Sequence, residues 1–134
     1  MRALQAFIII TSGALGGAAL AADLSGAEIK DMLTAKTVYL ETTTASASGQ
    51  AGQIVIYWGA DGSALYKTPS GTMMHGTWEI KGNTNCTVWK ERPNVGCTRY
   101  EKTGDTVTVF DATSGQVRAK ISKTASGNAE NLAP

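Results

Sequence analysis

The alternation of apolar and polar positions changes its period near residue 36. Before this point, Ser25 and Glu28 have the spacing of a capping box, in which each side chain bonds a free backbone N–H at a helix start. The apolar residues that follow recur on one face of a helix. These residues are Ile29, Met32 and Leu33. The pattern predicts one short amphipathic helix over residues 26–35.

After residue 36 the chain breaks into short β-type runs separated by turn residues. The predicted strands cover residues 37–42, 53–58, 64–68, 77–81, 86–91, 97–102, 106–110 and 116–122. About eight strands at this regular spacing are typical of an antiparallel meander that curls into a small barrel or a sandwich. The predicted fold class is therefore mainly β, with one short N-terminal helix.

Strand parity assigns side chains to the two faces of the predicted sheet. Trp58 and Trp78 share the parity of isoleucines in their strands, which indicates core positions. In the last strand the inward residues are expected to be Val117, Ala119 and Ile121. Tyr57, Tyr66 and His75 fall on the opposite parity, and we expect them to face outward.

The first 21 residues have the pattern of a cleavable signal peptide. A positive start at Met1-Arg2 precedes an uncharged apolar stretch, which closes on the small-x-small sequence Ala19-Leu20-Ala21. We predict cleavage after Ala21 and export to the periplasm. The alternative is a membrane anchor, which the short apolar core and the three glycines disfavour.

The predicted domain organisation follows from this segment. Residues 1–21 form the signal peptide, 22–124 form a single barrel-like domain, and 125–134 form a flexible C-terminal tail. Removal of Arg2 with the signal peptide leaves eleven basic and eleven acidic residues in the rest of the chain. A neutral domain lacks the basic excess that nucleic acid or an anionic membrane attracts. We therefore expect neither partner, and no stable insertion in a membrane.

Cys86 and Cys97 are the only cysteines of the chain. In an oxidising compartment, two cysteines at this separation favour a structural disulfide that closes a β-hairpin. A metal pair or a redox dithiol is the alternative, but the spacing is not C-x-x-C. Closing so short a loop stabilises a small domain by about 3 kcal/mol.

Candidate chemistry in the sequence is sparse. His75, the one histidine, lies beside Met73 and Met74, and these residue types suit copper. Too few further ligands are present, so we expect no metal site and no cofactor. No serine lies in a nucleophile motif. The carboxylates are spread over different turns and strand faces, which indicates solvated charges: Asp61, Glu79, Glu91, Glu101, Asp105 and Asp111.

The aromatic residues offer the one binding hypothesis. Three tryptophans and four tyrosines are many for a domain of this size. They serve either core packing or a barrel mouth that stacks on a ligand. The hypothesis for a ligand site names Tyr57, Tyr66 and His75, with an apolar small molecule as the ligand; a protein partner is the alternative.

Several segments resemble a group of small periplasmic bacterial β-domain proteins of uncharacterised function. They are Leu24-Ser25-Gly26-Ala27-Glu28-Ile29, Gly76-Thr77-Trp78-Glu79-Ile80, the Cys86–Cys97 hairpin and Lys102-Thr103-Gly104-Asp105-Thr106-Val107. The resemblance implies a location and a fold. In architecture, the chain is also similar to the secreted bacterial inhibitors of metalloproteases, which are eight-stranded barrels with one disulfide. Those inhibitors act through an extended N-terminal segment, whereas residues 22–25 here lead straight into the predicted helix.

The sequence as a whole favours a periplasmic, non-enzymatic binding or accessory protein with a lipocalin-like barrel. The alternatives are a protease inhibitor and a hydrolase that uses carboxylates.

Overall fold

The computed structural model describes residues 20–134. The signal peptide expected over residues 1–21 thus lies almost wholly outside the described residues. The described elements are β1 (Ala22–Asp23), α1 (Gly26–Leu33), β2 (Lys36–Thr42), β3 (Gly52–Trp58), β4 (Ser63–Lys67), β5 (Met73–Lys81), β6 (Thr84–Trp89), β7 (Arg92–Thr103), β8 (Thr106–Asp111) and β9 (Val117–Ser126).

Strands β2 to β9 form a closed antiparallel barrel. Each pairs with the strand that follows it in the chain, and β9 returns to pair with β2. The short strand β1 lies beside the end of β7, where Ala22 pairs with Lys102. The predicted fold class is confirmed. Of the two forms expected, a barrel or a sandwich, the meander forms a closed barrel. Closure leaves none of the eight strands with an open edge.

Alternation along the strands fills the barrel interior with apolar side chains. In β3 the inward residues Ile54, Ile56 and Trp58 are buried, and the residues between them are more exposed. Trp78 is buried as well, so both tryptophans lie in the core as predicted. Gly76 of β5 leaves room for the ring of Trp89, since a Cβ at this position would lie 2.7 Å from that ring.

Helix α1 closes one end of the barrel, which we call the helix end. The capping box is formed: Glu28 N donates to Ser25 Oγ, and Ser25 N donates to a Glu28 carboxylate oxygen, both at 3.2 Å. Ile29 and Leu33 are fully buried. The helix stops two residues before its predicted end at 35, because Ala35 takes a left-handed conformation with φ of 57°.

The predicted disulfide is present. Cys86 of β6 and Cys97 of β7 are directly paired residues, and their sulfur atoms lie 2.05 Å apart. This is the bonding distance of a disulfide. The bridge therefore links two neighbouring strands of the barrel wall.

One inward assignment is wrong. Val117 is 37% exposed, although the alternation placed it in the core with Ala119 and Ile121. A β-bulge in β9 shifts the register here, because Val109 pairs with Ala119 and Phe110 with Val117, which leaves Arg118 as the extra residue. The extra residue reverses the parity at this point, and the side chain of Arg118 lines the barrel interior instead.

Three strand boundaries also differ from prediction by more than two residues. Strand β7 begins at Arg92 rather than at residue 97, because Arg92 already pairs with Trp89 of β6. Strand β5 begins at Met73 rather than at residue 77, because Met73 and Met74 already pair with β4. Strand β9 extends to Ser126, beyond the domain boundary expected at 124.

The C-terminal residues, predicted as a flexible tail, pack along the outside of the barrel. Gly127 N donates to Ala35 O at 2.8 Å. The Thr37 hydroxyl donates to Gly127 O at 2.6 Å and accepts from Ala129 N at 2.9 Å. The contacts that hold this segment are polar. Apart from Leu132, which is buried, the segment therefore has no apolar pattern from which its packing could be predicted.

Candidate functional site

A cavity of about 60 Å³ lies inside the barrel, and we call it the lumen. It lies beneath residues 43–51, the connection between β2 and β3, which we call the lid loop. Sites for drug-sized ligands measure roughly 300–1,000 Å³. The lumen has room for about two water molecules. In this conformation it therefore admits only a very small guest.

Aromatic rings form much of the lumen wall. Trp89 meets Tyr66 edge-on at 5.2 Å between ring centroids, and its centroid lies 6.4 Å from that of Trp58. Trp58 also packs edge-on against Trp78 at 5.5 Å. Such arrangements fix the rings relative to one another, because edge-on contacts are favourable for aromatic quadrupoles.

The two tryptophans of that edge-on pair differ in their hydrogen bonding. Trp78 Nε1 donates to Gly59 O at 2.9 Å. Trp58 Nε1 is buried, and no group in residues 20–134 accepts a hydrogen bond from it. Trp58 is only 4% exposed and lines the lumen. A buried N–H without an acceptor costs about 1–3 kcal/mol, so this atom marks a place where a guest acceptor would be stabilising.

A cluster of polar side chains in the interior surrounds Tyr100. Asn85, which is fully buried, donates from Nδ2 to the Tyr100 phenol oxygen at 3.3 Å. The Thr98 hydroxyl donates to Asn85 O at 3.3 Å. Burial raises the pKa of Tyr100 above its ordinary value, so the phenol stays protonated at neutral pH. Asn85 Oδ1 has no donor within the described part of the chain.

Arg118 and Asp111 form an ion pair at the opposite end from α1, which we call the loop end. The backbone N–H of Ser114 is the main cause that lowers the pKa of Asp111 to about 2, and Arg118 and the Thr113 N–H lower it further. The pair uses one terminal nitrogen of the guanidinium, whereas Arg118 Nε is buried and finds no acceptor among the residues described. The ion pair thus holds a cationic N–H donor at the lumen wall.

The lid loop is fastened to the barrel through Ser48. The Tyr66 hydroxyl donates to Ser48 Oγ at 3.2 Å from inside the barrel. Arg92 donates from a terminal nitrogen to Ser48 O at 3.0 Å. Ser48 is itself buried, although it belongs to a loop of polar and small residues. Hydrogen bonds to Ser48, together with the packing of the small side chain of Ala47 against the core, therefore close the loop end.

The three residues of the sequence-based ligand hypothesis do not share one site. Tyr66 lies in the lumen, at 1% exposure, rather than facing outward as expected. Tyr57 and His75 lie on the outer face, where Leu65 pairs with each of them from the strand between. Strand parity identified this outer row correctly for Tyr57 and His75. Tyr66 shares its parity with the inward Ala64, since Trp58 and Ala64 are direct partners.

His75 connects the outer row to the C-terminal residues. Its Nδ1 lies 3.0 Å from a Glu91 carboxylate oxygen, and its Nε2 lies 3.3 Å from Ala133 O. Both neighbouring atoms are oxygens that accept hydrogen bonds, so each ring nitrogen faces an acceptor. His75 holds the pKa of Glu91 below its usual range by hydrogen bonding from its side chain and its backbone. The contact is structural, because it ties the chain terminus to β5.

Most of the candidate carboxylates contact different residues, and two of them meet at one arginine. Asp61 accepts from Ser63, Glu79 pairs with Lys81, and Glu101 shares Arg99 with Asp23. No cluster of three or more histidine, cysteine, aspartate or glutamate residues that suits a metal ion occurs within residues 20–134. Over the same residues, no helix is long and apolar enough to cross a membrane.

The alternation of residues did not predict Arg118 as a lumen residue. It lies between two apolar residues that the alternation assigned to the core, and only the bulge turns it inward. The one local signal is the turn-forming sequence Asp111-Ala112-Thr113-Ser114-Gly115 that precedes it. Such a turn fixes the Asp111 carboxylate but does not reveal the partner of that carboxylate.

These features define a class of protein: a small, disulfide-linked, closed eight-stranded β-barrel with an aromatic lumen and a polar lid. Beyond this class, comparison with models of known protein families, with curated proteins and with solved structures finds no match.

Proposed function

We propose that this chain is an exported, non-enzymatic binding protein of the periplasm, which holds a small molecule in the lumen beneath the lid loop. The observation that carries the proposal is the aromatic lumen inside the closed barrel, whose lining includes Trp58, a residue with a buried Nε1–H that has no acceptor among the described residues. The barrel is lipocalin-like in this sense, because the guest enters at one end of a closed barrel. The size of the lumen limits the guest to a few atoms unless the lid loop moves.

Export is supported by two independent features. The pattern of residues 1–21 is that of a signal peptide. The Cys86–Cys97 pair lies at disulfide distance, which suits an oxidising compartment. The first described strand begins at Ala22, directly after the expected cleavage site.

Binding is favoured over the two alternatives by the contacts of the groups that each would use. A hydrolase would need two carboxylates at one substrate. The carboxylates of Asp61, Glu79, Glu91 and Asp111 instead each contact a different residue, and the one pair that meets, Asp23 and Glu101, is bound by Arg99. An inhibitor of the resembling type would need a free N-terminal segment. Ala22 and Asp23 instead pair with β7, and Asp23 forms an ion pair with Arg99 at 3.0 Å.

The test is native mass spectrometry of the protein purified from the periplasm. We expect a bound mass that is lost in Ala47→Leu, because Ala47 lines the lumen from the lid loop and a larger side chain would fill it. Ala45→Leu is the matched control, since Ala45 belongs to the same loop and does not line the lumen. Protein that carries no bound mass would contradict the proposal, and so would equal retention by both variants. N-terminal sequencing that does not begin at Ala22 would contradict the export step.

A further inference from the structure

The outer row of Tyr57, Leu65 and His75 continues onto β2. Thr37 pairs with Tyr57, Tyr57 with Leu65, and Leu65 with His75. Thr37 and Leu65 alternate with core residues along their strands, so their side chains point away from the barrel interior. Thr37 is nevertheless 0% exposed and Leu65 is 7% exposed. Side chains on the outer wall are buried to this extent only where another segment covers them.

The covering segment is residues 127–133, which we call the strap. One end of the strap is bonded to Thr37 through Gly127 O and Ala129 N. Near the other end, Ala133 O lies 3.3 Å from His75 Nε2. Leu132 is buried and, like Leu65, does not belong to the core cluster. The strap therefore crosses four strands along the outer row, and His75 holds its far end.

The contact between His75 and the strap depends on one proton. Nδ1 faces the Glu91 carboxylate, and Nε2 faces Ala133 O. A protonated imidazole has an N–H on both nitrogens, whereas a neutral one has an N–H on only one. The carboxylate is the stronger acceptor because it is charged, so the neutral ring keeps its proton on Nδ1. Nε2 then presents a lone pair to the Ala133 oxygen, and the attraction at this contact is lost.

We propose that His75 makes the attachment of the strap depend on pH. The protonated ring fastens the strap to β5, and loss of the proton frees the end of the strap and exposes the outer row. His75 is the only histidine of the chain, and histidine is the side chain that ordinarily changes its charge between pH 5 and pH 8. The inference concerns the outer wall, so it stands or falls independently of binding in the lumen.

The charged groups near the ring belong to other residue types. Glu91 contacts it directly, and hydrogen bonds from the side chain and backbone of His75 hold the pKa of Glu91 below its usual range. On the neighbouring segments of the described chain, Lys67 pairs with Met73, two residues before His75, and Lys90 N donates to His75 O. Glu130 of the strap accepts from the Tyr39 hydroxyl. Lysine and carboxylate side chains ordinarily keep their charge between pH 5 and pH 8.

The experiment is hydrogen-exchange NMR of the full exported protein at pH 5 and at pH 8, with each rate divided by the intrinsic rate at that pH. The Leu132 amide reports on the strap, because it donates to Asn128 Oδ1 beside the His75 contact. We expect its protection to fall about tenfold as the ring signals of His75 titrate, since one charge-assisted hydrogen bond is lost. The Gly115 amide, which donates to Asp111 O in a distant turn, is the internal control and should keep its protection.

Glu91→Gln tests the role of the carboxylate in placing the proton. The Gln carbonyl can still accept from His75 N, as Glu91 does, and the Gln amide can donate to Nδ1. The neutral ring then carries its proton on Nε2 and keeps the contact with Ala133 O. Protection of the Leu132 amide should therefore differ by less than about twofold between the two pH values. Glu79→Gln, on the same strand as His75, is the matched control and should retain the full pH dependence.

Three outcomes would overturn the inference. The first is equal protection of the Leu132 amide at pH 5 and pH 8 in the unaltered protein. The second is a change in protection that does not follow the titration of the His75 ring. The third is the same pH dependence in Glu91→Gln as in the unaltered protein. If Glu91→Gln does not fold, the first two measurements decide, because both use the unaltered chain.

Discussion

The two ends of the barrel are closed by opposite kinds of interaction. At the helix end, Ile29 and Leu33 of α1 are fully buried, and a Cβ on Gly26 would lie only 2.1 Å from Gly82 O. At the loop end, the lid loop is held by hydrogen bonds to Ser48, next to the ion pair of Arg118 and Asp111. The apolar contacts of α1 are lost only when the helix leaves the barrel. The hydrogen bonds of the lid loop can instead be replaced by hydrogen bonds to water at little net cost in free energy. We therefore expect the helix end to be the stabilising end and the loop end to open more readily.

The largest expected effect comes from breaking the helix end. Leu33→Ala should lower the free energy of unfolding by about 2–5 kcal/mol, because it leaves a cavity in a fully buried contact. Urea unfolding followed by tryptophan fluorescence measures the loss. Lys30→Ala is the control on the exposed side of the same helix and should change stability by less than about 0.5 kcal/mol. A small effect of Leu33→Ala would show that α1 does not close the barrel.

An intermediate effect is expected from the ion pair at the loop end. The folded-state pKa of Asp111 is lowered to about 2, below the value near 4 of an unfolded chain. Its contribution to stability is therefore present above about pH 4 and is lost as the pH falls towards 2. Asp111→Asn should cost roughly 2 kcal/mol at pH 7 and should flatten the loss of stability between pH 4 and pH 2. Unfolding curves recorded across this range measure both effects, and an acid limb as steep as that of the unaltered protein would count against the ion pair.

The smallest effect on stability should come from the lid loop. Ser48→Ala removes the acceptor of the Tyr66 hydroxyl but keeps the Ser48 carbonyl that Arg92 contacts. We expect a loss of about 1 kcal/mol in unfolding and a faster release of bound guest. Stopped-flow dissociation measures the release rate. Thr44→Ala is the control, because Thr44 is exposed on the same loop; a release rate equally changed in both variants would argue against Ser48 as the fastening point.

The helix end could be predicted from the sequence much better than the loop end. The capping box and the spacing of Ile29 and Leu33 are local patterns, and the structure confirms the helix that they indicate. Alternation likewise predicted the strands and the core positions of Trp58 and Trp78. Local patterns suffice wherever a side chain's direction follows from its own strand.

The loop end depends on contacts that no local pattern contains. The bulge opposite Phe110 turns Arg118 inward, and its partner Asp111 lies on the neighbouring strand. Tyr66 meets Ser48 from a different element of the barrel. These contacts arise from strand register and closure, so the sequence predicted the barrel but not the residues that line its mouth.

Native-state hydrogen exchange compares the two ends most directly. The Ile29 amide, which donates to Ser25 O in α1, and the Gly49 amide, which donates to Ser46 O in the lid loop, report on the two closures. We predict that Ile29 exchanges only through near-global unfolding, whereas Gly49 exchanges through a far smaller local opening. Equal protection of the two amides would contradict the assignment of stability to the helix end and of opening to the loop end.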